Sequence, residues 1–519
     1  MPYRVRRLLH GDITYSAATE DETNILQKLT YVHLAAQFRS HLDGRRDQIA
    51  TLVADHLGLS SSSFCQVAAI NEWINGSFNL CIPVRLESST SVVQSKRVLI
   101  RFPLPYKLGE SKCPGNADEK LRCEAATYVW MMENCPDVPT PRLWSFGYYN
   151  GCCLTAVENN STFTRCYFQL RARLLSLFGQ PKPTPYISSP KKHNLGAGFL
   201  LMDYIEEAEG QMLSETWEEK RHDKHRREIL FRDLSKIMLS VGRTSLPRIG
   251  SFTIDDHGII SLTNRPLTLE LQQLENEDVQ VGIPRDRTYT TTNAYVMDLL
   301  TCHRNRLISQ LNAVNSSGDC MSQMSALIIM TAIAGQYFQR ELCDGPFVLS
   351  LTDLHPSNIF VDKDWHVTRL IDLEWACVRP LEMQHPPYWL SGHAVDAIDV
   401  GTYNTSREEF LTALVQGQFN ESCVTKGKDV DSIQYARTMQ QGWENKNFWY
   451  SLALDSITGL HSIFYDHIQP RYDTSHVDDA KYYQIVSQYW DVNAKEFIVQ
   501  KLEDKESYDK RLEYEFLIK

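Results

Sequence analysis

The sequence predicts an α+β protein in two lobes: a small antiparallel-sheet N-lobe, then a larger, mainly helical C-lobe. Three observations predict it. Apolar runs of strand length bracket an Asn75-Gly76 turn and recur up to residue 103. One long amphipathic helix follows after Asp118. Beyond residue 205, apolar positions recur mostly at helical spacing, interrupted by hairpin patterns.

The elements follow in order. Residues 22–58 read as two helices, with Ile25, Leu29, Val32 and Leu34 on the first and Ile49, Leu52, Val53 and Leu57 on the second. They make residues 1–60 a helical extension. The N-lobe spans 61–205. Its strands NLCIPVRLE and RVLIRFPL are separated by a polar Ser/Thr loop. The helix EKLRCEAATYVWMMENC ends at Pro136. LWSFGYYNG and GFLLMDYI are strands, and the Pro/Lys/Ser-rich stretch 178–196 is an exposed insertion. The C-lobe spans 206–519. It opens with charged helices over 213–245 and a hairpin turned at Asp255-Asp256-His257-Gly258. An apolar helix around 321–340 and a core helix near 450 follow.

Composition narrows the function. The chain has 519 residues, 43% hydrophobic and 23% charged, with a formal charge of −11. That is ordinary for a soluble globular protein, and the acidic balance argues against a nucleic-acid binder. The longest apolar stretch, Met324 to Phe338, is too short to span a bilayer, so no membrane partner is expected. The N-terminus lacks the apolar core of a targeting segment. Thirteen cysteines show no metal-ligand spacing and read as reduced thiols. The expectation is a cytoplasmic protein, with oligomeric state open.

The chemistry concentrates in FVLSLTDLHPSNIFVDKDWHVTRLIDLEWA, residues 347–376. Ile359-Phe360-Val361 and Val367 to Ile371 are strands of a hairpin. If they pair symmetrically about Trp365, residue 359 faces 371. Asn358 and Asp372 then sit opposite one another at the open end. A carboxamide oxygen and a carboxylate there form the hard donor set that magnesium prefers. Asp353 lies five residues before Asn358, in a loop stiffened by Pro356. A carboxylate at that place can accept a hydroxyl proton.

Four further features lie upstream. Gly76 and Ser77, between strands, can cover phosphates with backbone N–H groups; the alternative is a plain hairpin turn. Arg101, flanked by Ile100 and Phe102, needs a partner if buried; the alternative is a strand-edge arginine reaching solvent. Glu124 lies beside the apolar stripe Leu121, Ala125, Tyr128 and Met132, where Arg101 is its candidate cation. Met202 and Tyr204 end an apolar strand.

The D-x-x-x-x-N spacing followed by apolar-apolar-Asp resembles the aminoglycoside phosphotransferase/choline kinase family, especially its fungal branch. There the loop reads close to D-L-H-P-S-N-I-F-V-D and the metal strand I-D-x-E-W-A. The resemblance spans roughly residues 64–400. It implies a bilobal protein-kinase-like fold that uses ATP and Mg2+ to phosphorylate a hydroxyl of a small molecule. It also implies site roles. Asp353 is the catalytic base or an orienting acid, and Asn358 and Asp372 hold the magnesium. Glu374 is a candidate for a second ion. Arg101, paired with Glu124, holds the α/β-phosphates, and the backbone near Met202 and Tyr204 meets adenine. Acidic residues in the C-terminal half, Asp396 and Asp399 among them, leave room for a cationic acceptor. One position departs: the family's histidine two residues before the catalytic Asp is Leu351 here. A nucleotide-binding pseudokinase or scaffold is therefore the alternative. A protein kinase is disfavoured, because no A-P-E segment follows Asp372.

Overall fold

The computed structural model describes residues 3–517 except 88–95, 180–181, 190–191, 396, 421–431, 473 and 476–478. The Ser/Thr loop expected between the first long strands falls mostly within 88–95, and Asp396 also lies outside the described residues.

An eight-stranded antiparallel sheet organises the first two hundred residues. Its order runs Cys65–Val67, Asn79–Leu86, Arg97–Pro103, Phe199–Asp203, Leu143–Gly147, Cys153–Ala156, Tyr186–Ser188, with Ile74–Asn75 also paired to Asn79–Leu86. Alternation sorts the faces. Ile82 pairs with Ile100, Leu80 with Phe102 and Val84 with Val98, and all six are fully buried. They share one core with Leu42, Ile49, Leu52 and Val53 of the helices Ile25–Asp43 and Arg46–Leu57. The opposite face meets the helix Asn116–Asn134 through Leu121, Ala125, Tyr128, Leu200 and Met202. Arg101 belongs to that second face, directly across from Leu200.

The rest of the chain is mainly helical around the largest core. Two short sheets carry the candidate loops: Phe347–Ser350 pairs with Cys377–Pro380, and Gln211–Met212, Ile359–Val361 and Val367–Leu370 form a three-stranded sheet. The hairpin Ser251–Ile254/Ile260–Asn264 turns at the expected Asp255 to Gly258. The C-terminal helix Ala494–Phe516 returns to the N-terminal segment, where the Ile25 amide donates to the Tyr508 hydroxyl at 2.9 Å. No described helix is long and apolar enough to cross a membrane.

Two expectations need correction. The 359/371 register is wrong by one residue: Ile359 pairs with Leu370 and Phe360 with Arg369, while Val361 pairs with Val367. The extra residue is a bulge beside a turn capped by the Asp362 carboxylate, which accepts from the amides of Asp364 and His366. The stretch 178–196 is not wholly an exposed insertion, since Tyr186–Ser188 pairs with Cys153–Ala156 and Thr184 is buried. The helix Thr162–Leu177 was not foreseen.

Trp365 anchors that turn. It takes a left-handed φ of 70°, unusual for a bulky side chain. Its indole is buried, stacks on Trp217 at 5.5 Å and donates to the Thr216 hydroxyl at 3.2 Å. Trp365→Ala is expected to cost about 3–5 kcal/mol of stability, measured as a lowered denaturant midpoint. An unchanged midpoint would show that the indole does not hold the turn.

Candidate active site

A buried ion cluster joins the sheet, the helix Asn116–Asn134 and the 372–374 segment. Arg101 Nη1 donates to Glu124 Oε1 at 3.0 Å. Its Nη2 donates to Asp372 Oδ1 and reaches Glu374 Oε2 at 3.5 Å. Lys120, one helical turn before Glu124, lies 3.2 Å from Glu124 Oε2 and 3.3 Å from Glu374 Oε1. Lys120 also donates to Asn79 Oδ1 at 2.9 Å, and Asn79 Nδ2 donates to Glu374 Oε1 at 3.1 Å. Carboxylate oxygens of Glu124, Asp372 and Glu374 all lie within 4.8 Å of one another. The side chains of Lys120 and Glu124 are fully enclosed, and that of Arg101 is 4% exposed.

The Asp353 loop closes one side. Asn358 Nδ2 donates to the Asp353 carbonyl at 2.9 Å and to its Oδ2 at 3.0 Å. The Thr352 hydroxyl donates to the Trp375 carbonyl at 2.6 Å, and the Trp389 indole to the Leu354 carbonyl at 2.6 Å. The loop is thus tied to both neighbouring segments. The Ile371 amide donates to the Asn358 carbonyl at 3.0 Å, so Asp372 sits one residue past the hairpin's last bond. Asp372 has φ 56°, which turns the chain sharply at this point. Asp353, Asn358 and Asp372 line one depression of about 10 Å³, room for a single water-sized body.

Charge in this region is unbalanced. Asp353, Glu124, Asp372 and Glu374 are four acids; Arg101 and Lys120 are two cations. Burial, then Glu374 and Asp372, push Asp353 up to about 8. Burial pushes Glu124 up to about 7 despite Arg101, and also raises Asp372. For Glu374 burial is outweighed by Lys120 and Arg101, which bring it below the ordinary carboxylate value. A surplus of acid, buried at Glu124 and Glu374 and half-buried at Asp353 and Asp372, and a set of hard oxygen donors fit a divalent cation such as Mg2+. Asn358 and Asp372 are the residues that would hold it, with Glu374 behind them against Lys120.

The other expected residues divide. Gly76 and Ser77 are exposed in the turn before Asn79–Leu86, and the Gly76 amide donates to the Asn79 carbonyl at 2.8 Å. Phe78, the next residue, packs edge-on against Trp375 at 5.2 Å, which brings the turn beside the Asp372 segment. Met202 is buried, with its sulfur 3.9 Å from Arg101 Nη1. Tyr204 lies under the Arg97 guanidinium at 4.0 Å, outside the ion cluster. Asp399 is exposed, and its carboxylate accepts from the Thr402 amide at 2.8 Å at the start of the helix Val400–Asn420. Lys120 and Asn79 were missed. Lys120 was readable, because it precedes Glu124 by four residues and so shares its helix face.

A second cavity, of about 130 Å³, adjoins the Asp353 loop. Leu351, Thr352 and Leu354 line both cavities. Arg379, Asp455, Tyr388 and Trp389 contribute its polar and aromatic walls. Arg379 donates to Asp455 at 2.8 Å. Glu270, whose carboxyl burial and Asp455 push up to about 7, is close enough to Asp353 to raise it further. No sequence signal had marked Glu270.

No protein-family model matches this chain. No curated protein matches it. Among solved structures it is similar to an ethanolamine kinase of Plasmodium vivax, at 10% identity and a TM-score of 0.34, over 82% of this chain and 81% of that one.

The elevated Asp353 carboxyl has a measurable consequence. Its ordinary value is 3.8, and in the folded protein it reaches about 8. Between those values the folded state keeps a proton that the unfolded chain has released, so stability falls as pH rises through this window. In metal-free buffer, Asp353→Asn is expected to raise the melting temperature at about pH 8.5 by more than at about pH 5. An equal change at both would mean that the carboxyl titrates normally.

Proposed function

We propose that this protein is a phosphotransferase of bilobal, protein-kinase-like architecture. It moves the γ-phosphoryl group of ATP, with Mg2+, to a hydroxyl of a small molecule. One observation carries the reading: Asp353, Asn358 and Asp372 line a single depression, and the Arg101–Glu124 pair abuts Asp372. Phosphoryl transfer asks chiefly for positioned charge and an oriented acceptor oxygen.

The chain's own residues divide that work. Asp353, oriented by the Asn358 amide, takes the acceptor's hydroxyl proton when its carboxyl is ionised. Asn358 and Asp372 supply oxygens to the metal. Arg101 is held by Glu124 where a phosphate can share its guanidinium. Gly76 and Ser77 cover that place from the turn above Phe78, and the backbone at Met202 and Tyr204 meets the base. When bound, ATP and Mg2+ supply the electrophilic phosphorus and neutralise its oxygens.

The acceptor occupies the second cavity, which shares Leu351, Thr352 and Leu354 with the first. Its 130 Å³ suits a molecule of about one small ring's size, and not a large oligosaccharide. The Tyr388 and Trp389 rings, with Glu270 near Tyr388, suit a small cation such as an amino alcohol.

A second reading has its own support. The Arg101 guanidinium bonds directly to Asp372, the metal-holding acid, and Leu351 stands where the family carries histidine. These features favour a nucleotide-binding protein without turnover. The two readings separate in one experiment. A phosphotransferase shows MgATP-dependent thermal stabilisation that Asp372→Ala abolishes. It also shows ATP consumption with a panel of small alcohols, which Asp353→Ala lowers about 10²-fold or more. Stabilisation with no consumption across the panel supports the second reading, and neither effect sinks both.

A further inference from the structure

The helix Thr162–Leu177 lies between the strands Cys153–Ala156 and Tyr186–Ser188, and the phosphotransferase reading gives it no work. Its large side chains point the wrong way for a globular surface. Phe163, Tyr167, Leu170, Leu174 and Leu177 are each at least 46% exposed, and Phe163 is 84% exposed. Their spacing of four, three, four and three residues sets them in one stripe along the helix. Phe178 extends the stripe past the helix end and is also exposed. On the opposite side, Ala172 is buried and Thr164, Phe168 and Leu175 are half-buried against the protein. The helix is thus seated by one face and offers a second, continuous apolar face outward.

Charge identifies what covers that face. From Asn159 to Met202 the chain has no Asp or Glu, while it carries Arg165, Arg171, Arg173, Lys182, Lys191 and Lys192. This is a segment of +6 in a protein of −11. At 3.6 residues per turn, Arg171 and Arg173 fall roughly 80° to either side of the apolar stripe. Both are exposed. An aromatic and leucine stripe flanked by arginines, without acids, is the pattern of a helix that lies in a lipid interface. A twofold contact between two copies through this face would set an equally basic helix against it. The opposite charge that complements it is that of anionic headgroups.

We infer that the helix Thr162–Leu177 docks the protein on an anionic membrane surface. It lies flat with its stripe among the acyl chains and Arg171 and Arg173 at the headgroups. This differs from the spanning helix that the hydropathy of the chain does not provide, and it does not depend on the reading of the active site. An isolated amphipathic helix of this size adds modest affinity, so charge and apolar burial have to act together.

The test uses the full-length protein and vesicles of phosphatidylcholine with or without phosphatidylserine, separated by flotation. The wild type is expected to float with phosphatidylserine vesicles and to be released by high salt. Leu170→Glu with Leu174→Glu, both at exposed positions, is expected to stay in solution with an unchanged melting temperature. Arg171→Glu with Arg173→Glu is expected to weaken binding about tenfold or more. The inference is overturned if the wild type does not float on anionic vesicles, or if the leucine variant floats equally well. It is also overturned if sedimentation velocity shows a dimer that the leucine variant dissociates while neither protein binds lipid.

Discussion

The burial of Arg101 is the constraint on which the rest of the site depends. A guanidinium set into an inner strand of a sheet, 4% exposed, has to be paired or the fold loses several kcal/mol. Glu124 answers it from the helix Asn116–Asn134, and Asp372 and Glu374 answer it from a segment some 270 residues away in sequence. One side chain thus ties a strand, a helix and the loop beyond the 359–370 hairpin into a fixed arrangement. The order of the elements follows from this. The helix has to lie on the sheet face that carries Arg101, which leaves the other face for the helices Ile25–Asp43 and Arg46–Leu57.

The same cluster explains why the site is chemically poised. Pairing is incomplete, since Lys120 and Arg101 face four carboxyls. Burial and mutual repulsion hold Asp353, Glu124 and Asp372 above their ordinary values. A divalent cation entering such a region would displace the protons it retains. Asp353 is close enough to share in that balance, yet its hydrogen bonds run to Asn358 and not to Arg101. Orientation by an amide leaves one carboxylate free of the cations that would make it a poor proton acceptor.

Much of this arrangement was legible in the residues, and the reasons are physical. Arg101 stood out because a charge between Ile100 and Phe102 has no water to meet. Glu124 followed from its place beside an apolar helical stripe. The spacing from Asp353 to Asn358 to Asp372 brought those three together because a hairpin returns the chain on itself. The exact register did not follow, since a bulge near Thr368 depends on how Asp362 caps the turn. Lys120 escaped notice because lysine on a helix is usually solvated, and only the tertiary fold brings Asn79 and Glu374 to it. The helix Thr162–Leu177 was missed because its apolar stripe has no partner within the chain, and core-forming patterns were the signal being read. Asp399 entered the acceptor region on charge alone, and the structure adds that it is exposed and accepts from the Thr402 amide.

Anomalous diffraction from crystals of the protein with Mn2+ and a non-hydrolysable ATP analogue tests the central claim most directly. The account predicts a manganese peak bonded to the Asn358 amide oxygen and the Asp372 carboxylate, with Arg101 turned from Asp372 to a phosphate and still paired with Glu124. A peak elsewhere, or an Arg101–Asp372 contact that persists with nucleotide bound and no metal beside it, would contradict it.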